Sequence, residues 1–199
     1  MRREGTSILD AGLARISCNG GNPMKLCALV IGHKKSSPGA INKTSGVTEF
    51  YFNDRLAQEI EREATGVSIQ RIYRRTYNTL PGDINELHPD FIISLHCNAF
   101  DAKVSGTEVL YYHRSTKGQR YAEILNEHLV QVLDLPNRGV KPKAAEDRGG
   151  YLLMNTDAPC IIAEPFFIDN NKDLKMAQEN RDNLVAAYFS AISAIANQI

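Results

Sequence analysis

Residues 91–100 read FIISLHCNAF. Phe91 to Leu95 suit a strand covered on both faces, because the run is nearly all apolar and shows no alternation between a wet and a dry side. A core strand ordinarily stops at a turn residue. This one stops at His96, Cys97 and Asn98, an imidazole, a thiol and an amide, which sets chemistry against coincidence as the reason for its ending.

Two other runs behave alike. KLCALVIGH (25–33) closes on Gly32 and His33, and CIIAEPFF (160–167) passes through Glu164. Between these runs lie helical periods. Leu56, Ile60 and Ala64 share one face of a helix expected from about Glu49, with Thr48 as its cap. Tyr121, Ile124, Leu125, Leu129 and Val132 mark a second helix that begins at Ser115. Leu184, Ala187, Tyr188, Ala191, Ile192 and Ile195 mark a third, expected to run from Asp169 or Asn170 to the C-terminus. SIQRIYRR and YLLM read as short strands, and GTEVLYYH (106–113) as a strand nearer the sheet edge. NTLPGDINELHP reads as a connection and DLPNRGVKPKAAEDRGG as irregular chain. Strands alternating with helices predict an α/β fold: a single domain over residues 24–199, with an open, mostly parallel twisted sheet and helices on both faces.

The bulk numbers narrow the function classes. With 199 residues and 43% hydrophobic content, the chain can fill one well-packed domain. Lys+Arg and Asp+Glu balance at 23 each, so no general attraction for nucleic acid or an anionic membrane is expected. The four cysteines show no CxxC pair, and Cys27 and Cys160 lie in apolar runs as small core residues. Residues 1–23 are mixed and Gly-rich, without the apolar stretch of a signal peptide or membrane span, and read as a tail or extension.

In an open parallel sheet, sites form beyond the carboxyl ends of the strands. His33, His96 and Glu164 each end a buried run, so parallel pairing would gather them at one edge. Glu49, at the start of the first helix, is reached from that edge through the loop after His33. Each has an ordinary reading alone: a loop histidine, a hydrogen-bonded core histidine, a first-turn carboxylate favoured by the helix dipole, and half of a buried ion pair. Together, two imidazoles and a carboxylate match a catalytic zinc set, and a further carboxylate outside it can carry a proton.

VIGHKKSSPGA, then EFYFN with Glu49 and Asn53, then FIISLHCNA, then IIAEPFFIDN resemble, in matching order from Lys25 to the C-terminus, the zinc-dependent N-acetylmuramoyl-L-alanine amidases of the amidase type-3 family. NRGVKP adds a further match. The resemblance implies that His33, Glu49 and His96 hold one Zn²⁺, that Glu164 is the catalytic acid/base, and that Asn98 supports the site or contacts substrate. It implies a peptidoglycan hydrolase that cuts the amide between N-acetylmuramic acid and L-alanine of the stem peptide. Asn98 also reads as a plain strand-terminating turn residue.

The chain departs from the family pattern in places. Lys34 and Lys35 replace the two glycines usual after the first histidine. The segment before FIISLH is short, and Lys141 to Gly150 leaves no room for the self-inhibiting helix of some members. Rival readings are a thiol hydrolase using Cys97, a zinc peptidase or carboxypeptidase acting within the stem peptide, and a non-catalytic wall-binding module. The setting expected by analogy is a monomeric endolysin made in the cytoplasm without a membrane anchor, reaching the cell wall once the membrane is breached.

Overall fold

β1 (Lys25–Ile31), β3 (Phe91–Leu95) and β6 (Cys160–Glu164) are nearly apolar throughout because both of their faces are covered. In the computed structural model, which describes residues 24–199, they form the centre of a six-stranded sheet. The other strands are β2 (Val67–Tyr73), β4 (Thr107–Tyr112) and β5 (Asn137–Lys143). The order is β2-β1-β3-β6-β4-β5, parallel at every junction except β4 against β6. The α/β reading with a mostly parallel sheet is therefore correct. The reading of residues 1–23 as a tail lies outside the described residues.

The two faces are covered unequally. Leu29, Ile31, Ile93, Leu95, Ile161 and Ala163 face the long helices α1 (Glu49–Glu63), α3 (Thr116–Leu133) and α6 (Arg181–Ala196). Ala28, Val30, Ile92, Leu110 and Ile162 face only two short helices, α2 (Leu80–Asn85) and α4 (Gly150–Asn155), through Leu80, Ile84, Leu152 and Leu153. The thinner layer leaves the carboxyl edge of the sheet open on that side.

Four sequence expectations need correction. YLLM is part of helix α4, not a strand: Leu152 and Leu153 are buried while Tyr151 and Met154 are exposed, a pattern four residues are too few to reveal. The stretch read as irregular contains β5, whose polar residues and Pro142 suit the sheet edge it occupies. β5 in turn covers β4, which is one strand in from the edge and buried. The connection after β2 contains α2, with Pro81 in its first turn. The C-terminal helix is two helices, α5 (Asn171–Glu179) and α6, broken at Asn180. Thr48 takes the N-cap position of α1 without a side-chain cap bond, whereas Ser115 caps α3 by accepting from Gly118 N–H.

One buried carboxylate ties the loops at the carboxyl edge. Asp173, on α5 and fully buried, accepts from the Ser105 hydroxyl and Gly106 N–H in the loop after β3 and from Phe167 N–H in the loop after β6. Asp173→Ala would strand two buried N–H groups and should cost about 2–5 kcal/mol. Urea unfolding measures this, and a loss below about 0.5 kcal/mol, ordinary for a surface change, would contradict the role.

Candidate metal centre and cleft

The chain reverses after β1 through His33 in the left-handed conformation, φ 67°, and returns to α1. Glu49 N–H bonds Ala40 C=O at 2.9 Å and Phe50 N–H bonds Pro38 C=O at 2.9 Å. These bonds lay the first turn of α1 against the end of β1. Glu49 is fully buried there. Its Oε1 accepts from Cys97 N–H at 3.0 Å and lies 2.8 Å from His96 Nδ1. Its Oε2 accepts from Ala40 N–H at 3.1 Å and lies 3.0 Å from His33 Nε2. Burial opposes ionisation, but the His33 and His96 rings outweigh it and hold the carboxyl well below the usual carboxylate range.

The donor atoms of His33, Glu49 and His96 all lie within 4.8 Å of one another, the one group among the described residues able to hold a metal ion. Two observations fit an ion there. His33 Nε2 is buried without a hydrogen-bond partner despite its nearness to Glu49, and two imidazoles with one carboxylate are the donors a borderline divalent cation takes. Two glycines make room for the group. A Cβ at Gly39 would stand 2.6 Å from both the His33 ring and Glu49 Oε2, and one at Gly32 would stand 2.7 Å from the His96 ring.

His96 and Glu164 stand at the ends of neighbouring strands, joined by His96 N–H to Ala163 C=O at 3.0 Å. By strand alternation they continue the faces of Ile92 and Ile162, on the thinly covered side. Both, with His33, line a cleft of about 570 Å³. Glu164 lies outside the donor group, and its Oε2 is buried without a partner. Burial, then the charges of Glu49 and Glu108, push its carboxyl well above the usual range against the pull of Arg148 and Lys143. An unpartnered oxygen does not fit half of a buried ion pair.

Asn98 lines the cleft, but its side chain is engaged: Nδ2 donates to Glu108 Oε1 at 2.8 Å and Oδ1 accepts from Ala99 N–H. Glu108, which sequence reasoning did not single out, is the β4 partner of Glu164 and is also held by Arg138 Nε at 2.7 Å. The signal was an acid on the same face as Leu110 in a strand that is otherwise mostly apolar and buried. Cys97 points to the other face. It is buried and bonded to Asn53, and its thiol is pushed up by burial and by the charges of Glu49 and Glu164. A cleft substrate cannot reach it, which removes the thiol-hydrolase reading. His113 and His128 lie outside the donor group.

The family model of N-acetylmuramoyl-L-alanine amidase matches residues 27–194. An uncharacterized cell wall amidase of Bacillus anthracis is 30% identical over 113 residues, 52% of this chain and 20% of that protein, so the chain spans about a fifth of its length. The fold is that of the N-acetylmuramoyl-L-alanine amidase from Clostridium difficile 630, with TM-score 0.78 at 17% identity over 87% of this chain and 97% of the other. The catalytic domain of an endolysin targeting Clostridia difficile is 28% identical, with TM-score 0.69 over 87% and 97% of the two chains.

The raised pKa of Glu164 has a sign that can be tested in metal-stripped protein. Its folded-state pKa exceeds the unfolded value of about 4.3, so its contribution to stability is complete below that pH and is lost as pH rises toward the folded value. Glu164→Gln should therefore be more stable than the parent at neutral pH, with the gap closing toward pH ~4. Thermal unfolding across pH measures it; a parent more stable than the variant at neutral pH would contradict it. Gly39→Ala, which intrudes on two of the three donors, should lower metal uptake at least about tenfold in equilibrium dialysis. Unchanged uptake would show that the glycine is not required.

Proposed function

The chain belongs to the N-acetylmuramoyl-L-alanine amidase family, and we propose that it hydrolyses the amide between the lactyl group of N-acetylmuramic acid and L-alanine of the stem peptide. His33, Glu49 and His96 are its zinc ligands and Glu164 its acid/base. The observation that carries this reading is the pairing of one tight donor group with one buried, uncommitted carboxyl group in the same cleft. A bound zinc ion would supply a Lewis acid that polarises the carbonyl, lowers the pKa of water toward about 7, and draws the raised pKa of Glu164 back down.

Glu164 takes a proton from water as its oxygen attacks the lactyl carbonyl carbon. It then delivers that proton to the alanine nitrogen as the C–N bond breaks, so that a neutral amine leaves. Glu49, anchored by Cys97 N–H and Ala40 N–H, keeps both imidazoles in place. Asn98 and Arg138 hold the Glu108 wall of the cleft. The likeness to an endolysin catalytic domain supports a role in bacteriolysis. Among the described residues no helix is long and apolar enough to cross a membrane.

Mass spectrometry of digested peptidoglycan should show new L-alanine amino termini and intact glycan strands. Cuts confined to bonds within the peptide would make the chain a peptidase instead, and binding without any cut would make it a wall-binding module. Glu164→Gln should keep its metal and lose at least about 100-fold in turnover; near-normal turnover at full metal content would remove Glu164 from the reaction.

A further inference from the structure

A second cavity, of about 390 Å³, opens beside the catalytic cleft and shares His33 and Arg74 with it. Its chemistry is cationic. Lys34 and Lys35 line it from a tight turn closed by Ser37 N–H to Lys34 C=O at 2.9 Å and Lys34 N–H to Ser37 C=O at 3.3 Å. That turn places both residues within two positions of His33. Arg74, half-buried where the cavities meet, lays its guanidinium over the Tyr77 ring at 5.8 Å.

Among the described residues, none of these three cations has a carboxylate at ion-pair distance. Their neighbours do: Arg71 pairs with Glu61 and Arg75 with Asp83. The cavity's single acid, Asp54, already accepts from the Tyr73 hydroxyl at 2.6 Å, and that hydroxyl accepts from Arg71. In a chain of zero formal net charge, a local excess of positive charge therefore sits on the β1–α1–β2 side of the metal centre.

We propose that this cavity is a subsite for a free carboxylate of the stem peptide, with Lys34, Lys35 and Arg74 as the residues that select it. The inference rests on the amidase reading of the neighbouring cleft and adds the direction in which substrate lies. In the bond to be cut, the lactyl carboxyl is consumed as the amide and the sugars are neutral, so the substrate's negative charge is all on the peptide. A cationic cavity next to the metal centre thus takes the peptide side. The glycan side lies away from this cavity.

The test is binding of N-acetylmuramoyl-L-alanyl-D-glutamate and of its neutral diamide, by calorimetry at low salt. The protein is the zinc-loaded Glu164→Gln chain, so that neither ligand is consumed. The diacid should bind about fivefold tighter or more, and the ratio should fall to about one with Lys34→Gln/Lys35→Gln or Arg74→Gln, the size expected for exposed and half-buried ion pairs. Both lysines are exposed, and matching thermal unfolding confirms that the variants fold. A ratio near one in the parent, a ratio that survives the rim substitutions, or no binding of either ligand overturns the subsite. Alanine release by the unsubstituted enzyme is read separately. Its absence alongside a charge preference in binding would sink the amidase reading and leave the subsite standing.

Discussion

The carboxylate of Glu49 is the constraint on which the site depends. It is fully buried, a position that costs several kcal/mol for an unpaired charge, and each of its oxygens meets one backbone N–H and one imidazole nitrogen. The N–H groups come from the ends of two different segments, Cys97 after β3 and Ala40 in the loop before α1. The carboxylate therefore fixes the helix to the sheet edge as well as joining the two histidines. Gly32 and Gly39 exist where any side chain would push one of these groups away.

Two acids of the same site are pushed in opposite directions by their surroundings. The rings beside Glu49 hold its carboxyl well below the usual range, while burial and neighbouring negative charge push that of Glu164, a strand away, above it. The sheet topology makes that separation possible. β3 and β6 are parallel neighbours, so His96 and Glu164 rise on one face, whereas Glu49 enters from a helix on the other. The antiparallel strand β4 then brings Glu108 opposite Glu164, adding a negative charge that purely parallel strands would not place there.

How much of this was legible in the sequence differs by element. The buried strands were plain, since long apolar runs have one reading, and their terminal residues followed from the parallel-sheet rule. Helices α1 and α3 were plain from their stripes. What failed was short or polar: four apolar residues of α4 carry no period, β5 has an edge strand's composition, and the break at Asn180 interrupts no apolar stripe. The local pattern marks Glu108 only as an acid within an apolar strand; its role depends on β4 pairing with β6, which sets it opposite Glu164, 56 residues on. Asn98 was seen, but its partner was not, so its engagement with Glu108 could not be anticipated.

The proposed chemistry requires one cation held by His33, Glu49 and His96 while Glu164 stays uncoordinated. A crystal structure of the zinc-loaded chain with anomalous scattering at the zinc edge tests it most directly. A single peak bonded to His33 Nε2, a Glu49 oxygen and His96 Nδ1 is expected. A peak elsewhere, or one with Glu164 among its ligands, would contradict it.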